Sequence, residues 1–188
     1  MMTKSEIRST YKSLRRNLTP DRIDQMSLEI ANRVLHLDIW DGEFYHVFLS
    51  IEEQMEINTD YILSVLSGKD KNIVISKSDF KTREMTHYLL TDGTLIKKNK
   101  WNIPEPVNGI AIDSKQIDVI FIPLLAFDNS GHRVGYGKGF YDKFLAECHP
   151  DTKKIGLSFF KSIELIEDVN ASDMSLDLCI TPEQTYIF

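Results

Sequence analysis

Cysteine is nearly absent from this chain: Cys148 and Cys179 are the only two in 188 residues. They do not form a Cys-x-x-Cys pair, so neither a disulfide framework nor a cysteine-based metal site is expected. No apolar run approaches the roughly 20 residues that span a bilayer, and the first residues, Met1-Met2-Thr3-Lys4-Ser5-Glu6, lack the apolar core of a signal peptide. A net charge of -6 offers no general cationic face, which argues against a nucleic-acid binder. Low-complexity tracts and internal repeats are missing too. The expectation is a reduced, cytoplasmic, monomeric protein of one domain, residues 1–188, acting on small molecules rather than on nucleic acid or membrane.

What is present is a regular alternation of helical and strand patterns. Thr3 and Glu6 have the spacing of a capping box for a helix over Ser5–Asn17, with Ile7, Tyr11 and Leu14 on one face. Lys4, Arg8, Lys12, Arg15 and Arg16 make that helix basic. Lys4 and Arg8, one turn apart, can reach one anion together, and the other cations are expected to stay in solvent. Leu18-Thr19-Pro20-Asp21 signals a second helix start, running to about His36. Strands are expected at Phe44–Ser50, Lys71–Ser76, Thr86–Leu90, Asp118–Pro123, Lys154–Phe159 and Ser175–Thr181, with helices at Asn58–Leu66 and Phe140–Cys148. Trp101-Asn102-Ile103-Pro104-Glu105-Pro106 is expected to be an irregular rigid loop, because each proline removes a donor and restricts its predecessor. The fold class that follows is α/β, with a mainly parallel sheet.

The stretch most able to carry chemistry runs from Asp118 to Leu145. A β-branched strand leads into Arg133-Val134-Gly135-Tyr136-Gly137-Lys138-Gly139-Phe140-Tyr141-Asp142, and a helix follows. Two familiar phosphate patterns fail here. A Walker loop needs Gly and a hydroxyl residue where His132 and Gly139 stand, and the dinucleotide fingerprint needs Gly where Phe140 stands. The physical logic survives: glycines let backbone amides approach an oxyanion, the helix start attracts it, and Arg133 and Lys138 neutralise it. Asp142 suits Mg²⁺ on phosphates, and Asp177, an acid between apolar residues, is a candidate second carboxylate. A nucleoside triphosphate with Mg²⁺ is the ligand this predicts. Glu56 lies in the loop after the first strand, where ligands of open α/β sheets sit.

Taken together, these stretches resemble the 5-formyltetrahydrofolate cyclo-ligase (methenyltetrahydrofolate synthetase) family. Its signature is matched by Pro123-Leu124-Leu125-Ala126-Phe127-Asp128 continuing through Gly131 to Asp142. Lys4-x-x-x-Arg8, Glu56-Ile57-Asn58-Thr59, Trp101 to Pro106 and Asp177 fall in the expected order. The resemblance implies a three-layer sandwich similar to the sugar-phosphate isomerase and coenzyme A transferase-like fold. It also implies ATP-dependent cyclisation of 5-formyltetrahydrofolate to 5,10-methenyltetrahydrofolate, with release of ADP and phosphate. ATP would be held by Lys4, Ser5, Glu6, Ile7 and Arg8 together with Arg133 to Asp142, with Lys138 and Arg133 catalytic. Folate would meet Ile51 (Leu49 being the alternative), Glu56, Trp101 and Tyr136, and Mg²⁺ would meet Asp142 and Asp177. A phosphosugar isomerase on the same scaffold, or a non-catalytic folate or nucleotide carrier, are the competing readings.

Overall fold

Two capped helices open the chain in the computed structural model, which describes residues 1–188. In α1 (Lys4–Arg16) the Thr3 and Glu6 side chains each accept from the other's backbone N–H. In α2 (Pro20–Leu35) the Thr19 hydroxyl accepts from the Arg22 N–H, and proline occupies the first turn. There follow β1 (Phe44–His46), α3 (Asp60–Gly68), β2 (Asn72–Asp79), β3 (Glu84–Leu89), β4 (Ile96–Lys98), β5 (Pro104–Pro106) and β6 (Ala111–Ile112). The second half holds β7 (Val119–Pro123), β8 (Ala126–Phe127), β9 (Arg133–Val134), α4 (Phe140–Glu147), β10 (Lys153–Leu157), β11 (Leu178–Ile180) and β12 (Thr185–Ile187).

Eight strands form one sheet in the order β12-β11-β10-β7-β1-β2-β3-β6. The central β2, β1, β7, β10 and β11 run parallel, and β3, β6 and β12 are antiparallel at the margins. Strand β7 explains the layering by its alternation. Val119 and Phe121 pack with α2 and α3 on one face, where Ile30, Val34, Ile62 and Leu66 are fully buried. Ile120 and Ile122 pack on the other face with Phe144 and Leu145 of α4. The expected three-layer α/β arrangement with a mainly parallel sheet is therefore present. Helix α1 packs outside these layers: Ile7 joins Ala126, Val134 and Ile166 in a small separate cluster, which lays the helix across the loop after β9.

Two expectations are corrected. The strand from Phe44 does not run to Ser50: β1 ends at His46, and the last bond to β2 is from the Val47 N–H to the Val74 carbonyl at 2.9 Å. Side-chain hydroxyls take over from there: Thr59 Oγ1 donates to the Phe48 carbonyl at 2.9 Å and Ser50 Oγ to the Ile57 carbonyl at 2.6 Å. The proline segment is not wholly irregular either, since Pro104–Pro106 pairs with β4 as a two-stranded hairpin. The flanking Asn99 N–H bonds the Ile103 carbonyl and the Val107 N–H bonds the Leu95 carbonyl. Neither proline therefore has to donate on this edge.

Candidate active site

At the carboxyl ends of the parallel strands lies a cleft of about 620 Å³. Helix α1, the loops after β1 and β2, the β4–β5 hairpin, the glycine loop and the segment before β11 all line it. This is where open α/β sheets bind ligands, because the loops diverge there.

One end is built for anions. Gly137 (φ +85°) and Gly139 (φ +75°) adopt left-handed backbone that disfavours any side chain. A Cβ at Gly137 would also stand 3.0 Å from Arg8 Nε, which itself donates to the Gly135 carbonyl at 3.0 Å. Gly139 caps α4 without a side-chain hydrogen bond, so the first amides of the helix have no side-chain acceptor where Gly139 to Asp142 line the cleft. Lys138 is exposed on the loop and lines the cleft, as do Lys4, Arg8 and Lys12. Arg133 Nη2 donates to Asp142 Oδ1 at 2.7 Å, and Arg133 Nη1 to the Met174 carbonyl. Lys4 pairs with Asp173. Burial works against ionisation of Asp173, but Lys4, the Asn170 amide and Arg133 outweigh it and hold the carboxyl below its ordinary range.

The other end is acidic and aromatic. Glu56 is only 6% exposed; Oε1 accepts from the Tyr136 hydroxyl at 2.6 Å and Oε2 from the Ile51 N–H at 2.8 Å. Burial pushes this carboxyl up, against the pull of Tyr136, Ile51 and Arg15. The Tyr136 hydroxyl is likewise pushed up, by burial first and then by the Glu56 charge. Across the cleft Trp101 lies on Phe80 with ring centroids 3.8 Å apart, and Phe80 meets Phe140 edge-on at 5.0 Å. A flat aromatic molecule has an aromatic wall here and a buried hydrogen-bond acceptor beside it.

The structure gathers Lys4, Arg8, Ile51, Glu56, Trp101, Arg133, Gly135, Tyr136, Gly137, Lys138, Gly139, Phe140, Tyr141 and Asp142 around this one cleft; Leu49 lines it as well. Ser5, Glu6, Ile7 and Val134 lie outside it. Ser5 is exposed, Glu6 is committed to the Thr3 cap, and Ile7 and Val134 are buried in the cluster beneath α1. Asp177 is the larger correction. It enters β11 at the amino end of the sheet, away from the cleft, where it accepts from the Lys154 N–H at 2.7 Å and pairs with Lys154 Nζ at 3.0 Å. The acid that does face Asp142 is Asp173: both lie beside Arg133, and the Met174 N–H reaches Asp142 Oδ1 at 3.4 Å. Asp173 stands in a polar stretch, Asn170-Ala171-Ser172-Asp173, with no periodicity to single it out. The remaining α1 cations are not all solvated, either. Lys12 Nζ sits 5.6 Å from the Tyr136 ring centroid, and Arg15 is 3% exposed.

The sequence profile described as the 5-formyltetrahydrofolate cyclo-ligase family matches residues 1–182. The mouse protein named 5-formyltetrahydrofolate cyclo-ligase is 30% identical over 186 residues, covering 93% of this chain and 91% of its own length. The Haemophilus influenzae protein of the same name is 30% identical over 148 residues, covering 76% of this chain and 77% of its own. Among solved structures, a 5,10-methenyltetrahydrofolate synthetase from Aquifex aeolicus superposes with a TM-score of 0.81 at 23% identity. That match covers 98% of this chain and 92% of the other, a likeness of fold. On the strength of the profile match and the near-complete alignment to the mouse protein, this chain belongs to the 5-formyltetrahydrofolate cyclo-ligase family.

Proposed function

We propose that this chain is an ATP-dependent cyclo-ligase that converts 5-formyltetrahydrofolate to 5,10-methenyltetrahydrofolate, releasing ADP and phosphate. Family membership supports the reaction. The observation that carries it onto these residues is a single cleft with a cationic glycine loop at one end and Glu56 with an aromatic wall at the other. The presence of both ends in one cleft suits a reaction in which a phosphoryl group passes from nucleotide to pterin. A phosphosugar would leave the aromatic wall of Trp101 and Phe80 without a use.

The chemistry assigns the roles. A formamide oxygen leaves poorly, so it first attacks the γ-phosphorus of ATP, expelling ADP. The second folate nitrogen then adds to the activated carbon and gives up its proton, and phosphate departs with the former formyl oxygen. Such a sequence asks the protein mainly for positioning and charge neutralisation. In this reading Lys4, Arg8, Arg133 and the amides from Gly135 to Asp142 hold the phosphates, and Lys138 neutralises charge on the group in transit. Glu56 accepts from the pterin amide and amine edge, with Trp101, Tyr136 and Ile51 against the ring system.

Mg²⁺ fits the donor set. Asp142 and Asp173 are hard oxygen donors in the cleft, and a phosphate-bound Mg²⁺ characteristically takes one or two carboxylates and completes its shell with water and phosphate oxygens. Bound there, it would offset charge on the β- and γ-phosphates. We further read residues 1–188 as one domain, acting as a monomer in the cytoplasm: strands from both halves of the chain share one eight-stranded sheet, and both cysteines are free thiols.

The test is direct. Purified protein with 5-formyltetrahydrofolate, Mg²⁺ and ATP should generate the near-ultraviolet absorbance of the methenyl product and one ADP per turnover. Absence of product, with ATP and folate both bound, would leave a carrier instead of an enzyme.

A further inference from the structure

Arg15 has no part in the chemistry above, yet it is the most deeply buried cation of α1, with 3% of its surface exposed. Its Nη1 donates to the Tyr136 hydroxyl at 2.8 Å, and its Nη2 donates to the Leu124 carbonyl at the end of β7. The Tyr136 hydroxyl in turn meets Glu56 Oε1 at 2.6 Å. The chain Arg15–Tyr136–Glu56 thus runs from the amino-terminal helix, through the glycine loop, to the acid at the far end of the cleft. We infer that Arg15 is a positioning residue for the cyclo-ligase reaction: through the Tyr136 hydroxyl it orients Glu56 and keeps it a hydrogen-bond acceptor for the pterin. This rests on the folate reading given above.

The direction of the hydrogen bonds carries the argument. A guanidinium has donors only, so the Tyr136 oxygen must accept from Arg15. Its single proton is then free for one partner, and Glu56 Oε1 is the acceptor in reach. Ile51 N–H, another pure donor, faces Oε2. Both carboxylate oxygens are therefore addressed by donors, which favours the ionised form at a site where burial opposes it. Without Arg15 the hydroxyl is free to rotate, and Glu56 loses both a directed donor and the nearest positive charge. Arg15 does not line the cleft, so it acts only through Tyr136. Its own burial demands partners; it has the Tyr136 hydroxyl, the Leu124 carbonyl and the Phe159 ring 6.0 Å from the guanidinium, with Nε left unpaired. Of the other titratable groups, Tyr141 on α4 feels the Glu56 charge and Lys12 on α1 lies over the Tyr136 ring. Neither donates to the Glu56 carboxylate.

A double-mutant cycle with Arg15→Gln and Tyr136→Phe tests the inference, with affinity for 5-formyltetrahydrofolate and for a non-hydrolysable ATP analogue measured separately. Each single variant is expected to weaken folate roughly tenfold and the ATP analogue less than threefold. The double variant should be no worse than the poorer single one within about twofold, because both remove the same path. The acid limb of folate binding should move to higher pH in Arg15→Gln, since Arg15 favours the ionised carboxyl. Arg15→Lys, which keeps the charge but cannot fork to both Tyr136 and Leu124, should recover part of the affinity. It also repeats the comparison if the glutamine variant does not fold. Multiplying effects in the double variant, or lowered thermal stability with unchanged folate affinity and pH limb, would overturn the inference. Wild-type protein that fails to bind 5-formyltetrahydrofolate would overturn the functional reading and this one with it; wild-type binding with a multiplicative cycle would overturn this one alone.

Discussion

Both aspartates in the cleft are already answered by a cation: Asp142 by Arg133 at 2.7 Å and Asp173 by Lys4. Arriving phosphates would compete for those cations and leave the two acids free for Mg²⁺, an exchange of partners at nearly constant local charge. The prediction is a contrast between two aspartates in the same segment. Asp173→Asn should lower turnover by roughly tenfold or more and raise the Mg²⁺ concentration needed for half-maximal rate. Asp177→Asn should leave both within about twofold, because its partner is Lys154 on the far side of the sheet. Steady-state rates across a Mg²⁺ titration decide it, and a reversed ranking would return the metal role to Asp177. The same pair marks what sequence could reveal at this scale. Asp177 drew attention because it is an acid among apolar residues, but the start of a strand lets it reach solvent and a lysine. Asp173 carries no pattern, and only the path of the chain between β10 and β11 brings it to Arg133. Arg15 is similar: five cations share α1, and which of them is buried depends on where Tyr136 comes to lie.

The strand–loop–helix from β7 through α4 was legible because its signals are local: β-branched alternation, glycines that must take left-handed backbone, and an apolar helix face. The β4–β5 hairpin was not, since its prolines speak against a strand unless the edge leaves them without a hydrogen-bonding duty. That hairpin has a consequence for the aromatic end of the cleft, the end proposed to take folate. Its turn exposes Trp101 (46%) yet fixes the ring by stacking on Phe80, which in turn packs on Phe140 at the start of α4. The Asn99 side chain accepts from the Trp101 N–H at 2.9 Å and the Ile103 N–H at 3.2 Å, so the turn is held from within. An aromatic surface prepared in this way loses little rotamer entropy on binding a flat ligand. Trp101→Ala should therefore weaken 5-formyltetrahydrofolate binding roughly tenfold, about the worth of an aromatic stack. The ATP analogue should be affected by less than twofold and the melting temperature by little. Titration calorimetry of both ligands checks this, and equal losses for the two would detach Trp101 from the folate end.

The three layers of the whole molecule are sealed on one side by α4, and within that seal lies an unusual polar pair. His46 on β1 and His87 on β3 share Ser76: the hydroxyl is 2.8 Å from His46 Nε2 and 2.8 Å from His87 Nδ1. Phe144 of α4 covers both rings, with centroids 5.0 and 4.1 Å away. A single hydroxyl proton can satisfy only one ring nitrogen, so the other ring donates to the oxygen. His46 Nδ1 and His87 Nε2 are buried without partners, which favours neutral rings, because two protonated rings would place an N–H at both. Burial draws His87 from 6.5 to about 4 and His46 well below its ordinary value, His46 also by repulsion from His87. Because the folded pKa values are depressed, the unfolded chain binds more protons than the native one between about pH 6.5 and pH 4. Stability contributed by the neutral rings is present in full above that window and is lost as pH falls through it. For His87 alone the loss amounts to about 3 kcal/mol, a large fraction of what a domain has. The urea midpoint should thus decline steadily from pH 6.5 downward, with an uptake on unfolding approaching about two protons near pH 5. Replacing both rings by glutamine should flatten that decline even if it lowers the midpoint at pH 7. A wild-type midpoint unchanged between pH 7 and 5 would mean that the pair takes up protons inside the fold, and that the layer beneath α4 opens to water more readily than its packing implies.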